Sequence, residues 1–264
     1  MTTNAPLPGQ PHVAMRDGTL HVEGAALDAL AREHGTPLFV YSRQWMLDAL
    51  AAYQRGFAGR DALICYAIKA NSSLGVLRVF AEAGCGFDIV SGGELARVLA
   101  VGAEPAKIIF SGVGKTRDEM RQALAAGIGS FNDESEEELE VLNAVAVAQG
   151  QRAKVSIRIN PNVDPKTHPY ISTGLKGNKF GVAHARAVAA YQHAARLPGL
   201  QVVGIDCHIG SQITEASPYL DALERVLDLV EDIERAGVAL HHIDLGGGLG
   251  IGFNNGTPPG GEDL

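Results

Sequence analysis

Between positions 61 and 245 the chain alternates short apolar runs with longer stretches whose apolar residues recur every three or four positions, the contrast that separates strands from amphipathic helices. Seven runs read as strands, at 62–67, 86–90, 107–110, 128–131, 155–159, 202–209 and 240–245. Six helices are predicted between them, near 74–83, 94–101 and 116–126, after Ser135, and over 183–196 and 219–236. Ser135 would cap the acidic first turn Glu136, Glu137 and Glu138, whose charges complement the helix dipole. Strands and helices in this rhythm make a parallel βα array. Ahead of it, 1–18 reads as a poorly ordered arm and Thr19 to Glu23 as a short strand. A helix over 25–34 stops at Gly35, Leu38 to Tyr41 follows as a strand, and Ser42 caps a helix over 43–57.

Two α/β architectures fit such an array. A doubly wound sheet is open at its edges and gathers its ligand contacts at one switch point. A (β/α)8 TIM-type barrel needs one strand and one helix more, and assembles its site from the C-terminal ends of many strands. Polar or glycine residues follow nearly every strand here: Lys69, Asp88 and Ser91, Ser111, Asn132, Arg158, His208 and the triplet Gly246, Gly247, Gly248. That distribution favours an incomplete barrel of about seven strands over 61–264, preceded by a separate segment over 1–60.

Composition narrows the ligand. With 46% hydrophobic and 20% charged residues the chain is an ordinary soluble globular protein. A net charge of -8 without a basic face argues against nucleic acid and for a small molecule. Cys65, Cys85 and Cys207 are odd in number, far apart and set in apolar runs, which suggests neither a disulfide framework nor a metal cluster and fits a reducing cytoplasm. No basic-then-apolar leader pattern and no run of membrane-spanning length occurs, so no membrane partner is expected.

The candidate chemistry centres on Lys69, an amine at the end of a strand, where partial desolvation would lower its pKa and make it a nucleophile toward a carbonyl. The alternative is a lysine that ends a strand and points into solvent. Gly246, Gly247 and Gly248 follow the seventh strand, where barrels often hold phosphate on backbone N–H groups, although a flexible turn reads the same way. The spacing is not the dinucleotide fingerprint. His208, at the end of the sixth strand with Ser211 in the loop above, is a ligand contact, a base, a stacking partner or a locally satisfied rim histidine. It lacks a second metal ligand at close spacing. Arg158 either orders neighbouring carboxylates, Asp88 among them, or touches the ligand. The polar stretch 168–182, with Ser172 and Thr173, is long enough for a lid or binding loop, or for a surface excursion.

These residues together resemble a known family. Tyr66-Ala67-Ile68-Lys69-Ala70-Asn71, Phe87-Asp88-Ile89-Val90-Ser91-Gly92-Gly93-Glu94, His208-Ile209-Gly210-Ser211 and Gly246-Gly247-Gly248 occur in the order found in the barrel domain of the fold-type-III pyridoxal-phosphate decarboxylases. The resemblance covers about 19–253. The loop bearing Ser172-Thr173-Gly174-Leu175-Lys176 and Lys179-Phe180-Gly181 is most similar to the diaminopimelate decarboxylases within that group. The resemblance implies that Lys69 carries pyridoxal 5'-phosphate as a Schiff base and that His208 stacks on its ring. Ser211 with Gly246, Gly247 and Gly248 would hold the phosphate, Arg158 would lie beneath the cofactor, Asp88 would support the lysine side, and Ser172 and Thr173 would meet the substrate. The implied reaction converts meso-2,6-diaminopimelate to L-lysine and carbon dioxide, in a cytoplasmic homodimer.

Family members continue through an eighth strand with a Glu-Pro-Gly-Arg segment and a β-domain with a Cys-Glu-Ser motif, none of which is present here. The expectation is therefore a C-terminally truncated sequence, impaired in catalysis alone, whose first 60 residues belong in part to the missing β-domain. Other decarboxylases of the family (for ornithine, arginine or carboxynorspermidine), an alanine racemase, and a non-catalytic pyridoxal-phosphate carrier barrel remain the competing readings.

Overall fold

The computed structural model describes residues 6–7, 10–163, 180–251 and 260–262. The chain opens with an antiparallel sheet of four short strands in sequence order, β1 (Pro6–Leu7), β2 (Gln10–Arg16), β3 (Thr19–Val22) and β4 (Ala25–Ala26). The expectation of a poorly ordered arm is thus corrected over 10–16. Asp17 and Gly18, at φ 48° and 80°, make the two-residue turn that joins β2 to β3 with Arg16 opposite Thr19. An Asp-Gly pair accepts the left-handed backbone that such hairpins need.

Helices α1 (Leu27–His34) and α2 (Arg43–Gly56) follow. Ser42 caps α2: its hydroxyl accepts from the Trp45 N–H at 3.0 Å and donates to Glu23 at 2.6 Å, tying the helix start to the end of β3. The Trp45 ring lies 6.4 Å from that of His12 on β2. Residues 38–41, expected as a strand, pair with no strand among the described residues and simply link the two helices, with Phe39 83% exposed. Their apolar character had suggested a ladder where there is none.

The larger unit is a sheet of parallel strands flanked by helices. Its strands are β5 (Cys65–Ala67), β6 (Gly86–Ile89), β7 (Ile108–Phe110), β8 (Ser130–Asp133), β9 (Ala153–Asn160), the two-residue β10 (Val182–Ala183), β11 (Leu200–Cys207) and β12 (His242–Leu245). The helices are α3 (Leu74–Glu82), α4 (Gly92–Ala100), α5 (Arg117–Ala126), α6 (Glu136–Ala148), α7 (Ala187–Ala194) and α8 (Ser217–Arg235). The main path runs β12-β11-β9-β8-β7-β6-β5, with β10 paired only to β9. Polar caps start three of these helices, Ser135 as the sequence suggests and Ser91 and Thr116 besides it: each accepts an N–H three residues on.

This sheet is curled. Asn132 on β8 donates to Asp244 on β12 at 2.8 Å although β9 and β11 stand between them. In a flat sheet those strands would be roughly 14 Å apart. The seven-strand curl agrees with an incomplete barrel and rules out the doubly wound alternative. Between sheet and helices lies the apolar core, in which Ile89, Phe110, Phe131, Leu142, Ile157 and Tyr191 are at most 1% exposed.

One buried hydroxyl repairs the sheet where its ladder is irregular. β11 slips register against β9 between Val202 and Gly204. Tyr191, from α7, donates to the Gly204 carbonyl at 2.8 Å and accepts from the Ile157 N–H at 3.3 Å. Tyr191→Phe takes the hydroxyl away from both backbone groups and is expected to cost about 1–3 kcal/mol in denaturant unfolding; a change within a few tenths of a kcal/mol would show that the slip needs no such support.

Candidate active site

Side chains alternate across a strand, so one face of each strand lines the hollow of the curl. That face carries Asn132 on β8 with Glu134 just past its end, Ser156 and Arg158 on β9, Gly204 and Asp206 on β11 with His208 just past it, and His242 and Asp244 on β12 with Gly246 just past it. The register sets them in rows. Arg158 pairs with Asp206 and Asp206 with Asp244, while one layer below Ser156 pairs with Gly204 and Gly204 with His242. Gly204 is needed in that lower row, because a Cβ there would sit 2.5 Å from the His242 ring. The space lets His242 reach across to Ser156 at 3.1 Å.

The upper row is acidic. Burial raises the pKa of Asp206 well above the ordinary carboxylate range, with the Asp244 charge adding to it and Arg158 opposing. Asp244 is raised in the same direction by burial, against the Asn132 hydrogen bond. Asp88, across the hollow on β6, is pushed up to about 6, first by burial, with a Ser111 hydrogen bond and the Lys69 charge opposing. Its Oδ1 is buried without a hydrogen-bond partner, as is Glu134 Oε2. Arg158 pairs with the other oxygen of Glu134 at 2.9 Å and stands over the Phe180 ring at 5.2 Å from its centroid.

The residues singled out from the sequence fall mostly at the C-terminal mouth of this hollow. Lys69 lies on a single 3-10 turn, Ile68–Ala70, directly after β5. Its side chain is exposed, so the desolvation expected at a strand end does not hold for it. Its charge is nonetheless felt by Asp88 and by His208. The His208 pKa is pushed down to about 4, by burial first and then by the Arg158 and Lys69 charges, which keeps its imidazole neutral at neutral pH.

Gly246 sits against that imidazole, where a Cβ would come within 2.2 Å of Nδ1. Its N–H donates to the Cys207 carbonyl at 2.8 Å. Gly246 therefore serves the mouth through its missing side chain, and an anion would be left the amides of Gly247 and Gly248. Ser211 is exposed in the loop after β11, while Ser91 is occupied as a helix cap. Ser172 and Thr173 lie outside the described residues.

The profile described as pyridoxal-dependent decarboxylase, pyridoxal binding domain, matches residues 45–262. The chain belongs to that family. Diaminopimelate decarboxylase of Pseudomonas aeruginosa is 56% identical over 244 residues, 92% of this chain and 59% of that protein. Among solved structures, diaminopimelate decarboxylase of M. jannaschii in complex with L-lysine superposes with a TM-score of 0.89 at 38% identity, over 100% of this chain and 62% of the other. The Helicobacter pylori enzyme, also complexed with L-lysine, gives 0.86 at 41% identity, over 90% and 60%. The chain thus spans about 59% of the length of the curated relatives it matches.

Within this family domain, Glu134, Ser156, Asp206, His242 and Asp244 were not foreseen as part of the site. The signal was available: Gly204-Ile205-Asp206-Cys207-His208 and His242-Ile243-Asp244-Leu245-Gly246 place polar groups or glycine at every second position, where a fully buried parallel strand would be apolar throughout. Lys115 was also passed over. It is fully buried behind β7 and β8, bonded to the Gly112 and Asn132 carbonyls at 2.7 and 2.8 Å and paired with Glu138 at 2.9 Å. No periodicity could have found it, because its partners converge only in three dimensions.

Asp88 provides a pH test of this electrostatic picture. Above pH 6 its carboxyl is ionised in folded and unfolded chain alike, so the cost of burying the charge is fully present; below its ordinary 3.8 it is protonated in both, and the cost vanishes. Asp88→Asn is expected to stabilise the chain by about 3 kcal/mol at pH 7, with the gain shrinking as pH falls from 6 toward 4. Denaturant unfolding across pH checks this, and a gain that is independent of pH would refute it.

Proposed function

We propose that the mouth of the hollow binds pyridoxal 5'-phosphate and that the protein is a carboxy-lyase acting on meso-2,6-diaminopimelate, yielding L-lysine and carbon dioxide. What carries this reading is the meeting at one end of the sheet of an exposed amine, a neutral imidazole packed on a glycine, and a glycine loop. The donor set fits the cofactor: an amine for an aldehyde, a flat uncharged ring for a pyridine face, and small-residue amides with a hydroxyl for a phosphate. The partnerless oxygens of Asp88 and Glu134 show that the hollow is polar and short of hydrogen-bond donors, which suits a polar ligand and not an apolar one.

Each residue then has its role. The Lys69 amine would hold the cofactor through its aldehyde. His208, held neutral, would lie against the ring without opposing its positive charge. Ser211 and the Gly247 and Gly248 amides would receive the phosphate, with Gly246 making room for His208. Arg158, fixed by Glu134, sets the polar floor, and Asp88 holds a proton or a negative charge beside Lys69. Bound pyridoxal phosphate supplies the electron sink for loss of the substrate carboxylate.

The substrate assignment rests on the names of the relatives. Ser172 and Thr173 are the proposed substrate-loop contacts. A cytoplasmic homodimer is the assembly expected of the complete protein.

The test is chemical. Pyridoxal phosphate added to the chain should give a visible absorbance that borohydride fixes, by mass spectrometry, on Lys69. Lys69→Ala should abolish it, and a reducible adduct on another lysine would overturn the assignment. His208→Ala should weaken cofactor binding about tenfold while leaving the Lys69 adduct in place; unchanged affinity would leave His208 a local structural residue. Meso-diaminopimelate, more than ornithine or arginine, should alter the absorbance of the loaded chain, and the reverse order would favour another branch of the family.

A further inference from the structure

The loops that follow β11 and β12 are sewn together, and the stitch furthest from the ligand-facing groups is a side chain. Gln212 has φ 58°, in the left-handed region that residues with a Cβ adopt at a cost. Its amide nitrogen donates to the Ile251 carbonyl at 2.6 Å, and its amide oxygen accepts from the Ile251 N–H at 3.3 Å. One primary amide thus closes both polar groups of one residue, as a neighbouring strand would. The backbone continues the seam. The Ile213 N–H donates to the Gly248 carbonyl at 2.9 Å, the Gly250 N–H donates to the Ile213 carbonyl at 2.8 Å, and Ile213 and Leu249 form a parallel bridge. At Gly248, φ 105°, a Cβ would come within 2.0 Å of the Gly210 carbonyl oxygen, so the two loops touch backbone to backbone.

A run of three glycines has no rotamers or Cβ contacts to order it, and fixing each backbone costs roughly 1–2 kcal/mol of conformational entropy. The loop that would receive an anion is therefore intrinsically loose. The Gln212 side chain pins Ile251 just beyond the triplet, while the neighbouring Ser211 stands exposed at the mouth. A primary amide sets an N–H donor and an oxygen acceptor side by side on one carbon, which among side chains only Asn and Gln do at neutral pH, and Asn is one methylene shorter. Glu would keep the acceptor for the Ile251 N–H and set an anion against its carbonyl.

We propose that Gln212 is a positioning residue: by clamping Ile251 it preorganises the Gly246 to Gly248 loop beside Ser211, and so sets the affinity of the mouth for a phosphomonoester. The inference rests on the reading that this loop receives the cofactor phosphate. Its loss should appear as weaker binding of the phosphorylated ligand alone, because preorganisation acts on the group that the loop holds.

The experiment compares dissociation constants of pyridoxal 5'-phosphate and pyridoxal, titrated by absorbance on the full chain. Both meet Lys69 through the same aldehyde, so their ratio isolates the phosphate. The unaltered chain should prefer the phosphate ester. In Gln212→Ala and Gln212→Glu the pyridoxal phosphate constant should rise about tenfold with the pyridoxal constant unchanged. Gln212→Gly, which relieves the left-handed backbone, should show the same selective loss without loss of stability, and so separates the clamp from any folding defect. An unchanged preference in the variants, or an equal loss for both ligands, would overturn the clamp while leaving the phosphate reading intact. Equal binding of the two ligands by the unaltered chain would overturn the phosphate reading, and this inference with it.

Discussion

In a parallel strand that curls around a hollow, every second side chain must enter that hollow. The constraint is geometric, and it determines both what the interior contains and what the sequence can tolerate. Outward positions such as Ile157, Ile205 and Cys207 are buried under the helices. The inward positions between them carry Arg158, Asp206 and His208, which in most cores would be excluded. The two faces of the same strands thus follow opposite chemical rules two residues apart.

An interior of this kind has an excess of acid. Burial raises the proton affinity of Asp88, Asp206 and Asp244; the Asp244 charge adds to it at Asp88 and Asp206, while Lys69 opposes it at Asp88 and Arg158 at Asp206 and Asp244. Removing a charge from water is unfavourable unless it is paired, so the carboxylates resist full ionisation together. The hydrogen bond from Asn132 to Asp244 relieves one of them and draws the far edge of the sheet toward its middle. Behind the strands Lys115 performs the complementary task, with its ammonium held by Glu138 and two carbonyls. Polar satisfaction and sheet curvature are thereby the same set of contacts.

Much of this was readable from the chain. The alternation of strands and helices gave all seven parallel strands to within a few residues, because each pairs with its neighbours along the array and several of the helices between them start at a polar cap. Lys69, His208 and the glycine triplet were visible because they fall just past strand ends. The N-terminal hairpin was hidden by a polar, proline-bearing start that precedes its Asp17-Gly18 turn, and the apolar residues at 38–41 look like a strand but belong to none of the described strands. The exposure of Lys69 was unreadable, since accessibility depends on which loops close over a strand end. Asp206, Asp244 and Lys115 acquire meaning only from strand register and from side chains far away in sequence.

Trp45 is the single tryptophan of the chain. It sits in the first turn of α2, under the Ser42 cap and beside His12, and the curled sheet has no indole at all. The two structural units therefore carry different optical labels. Indole emission, excited at the red edge, reports whether the small antiparallel sheet is seated on α2. Far-ultraviolet dichroism is dominated by the helices around the hollow. A chain whose N-terminal hairpin detaches before the parallel unit melts will lose the first signal while keeping the second, so the order of disassembly can be read from two spectra of the unmodified protein.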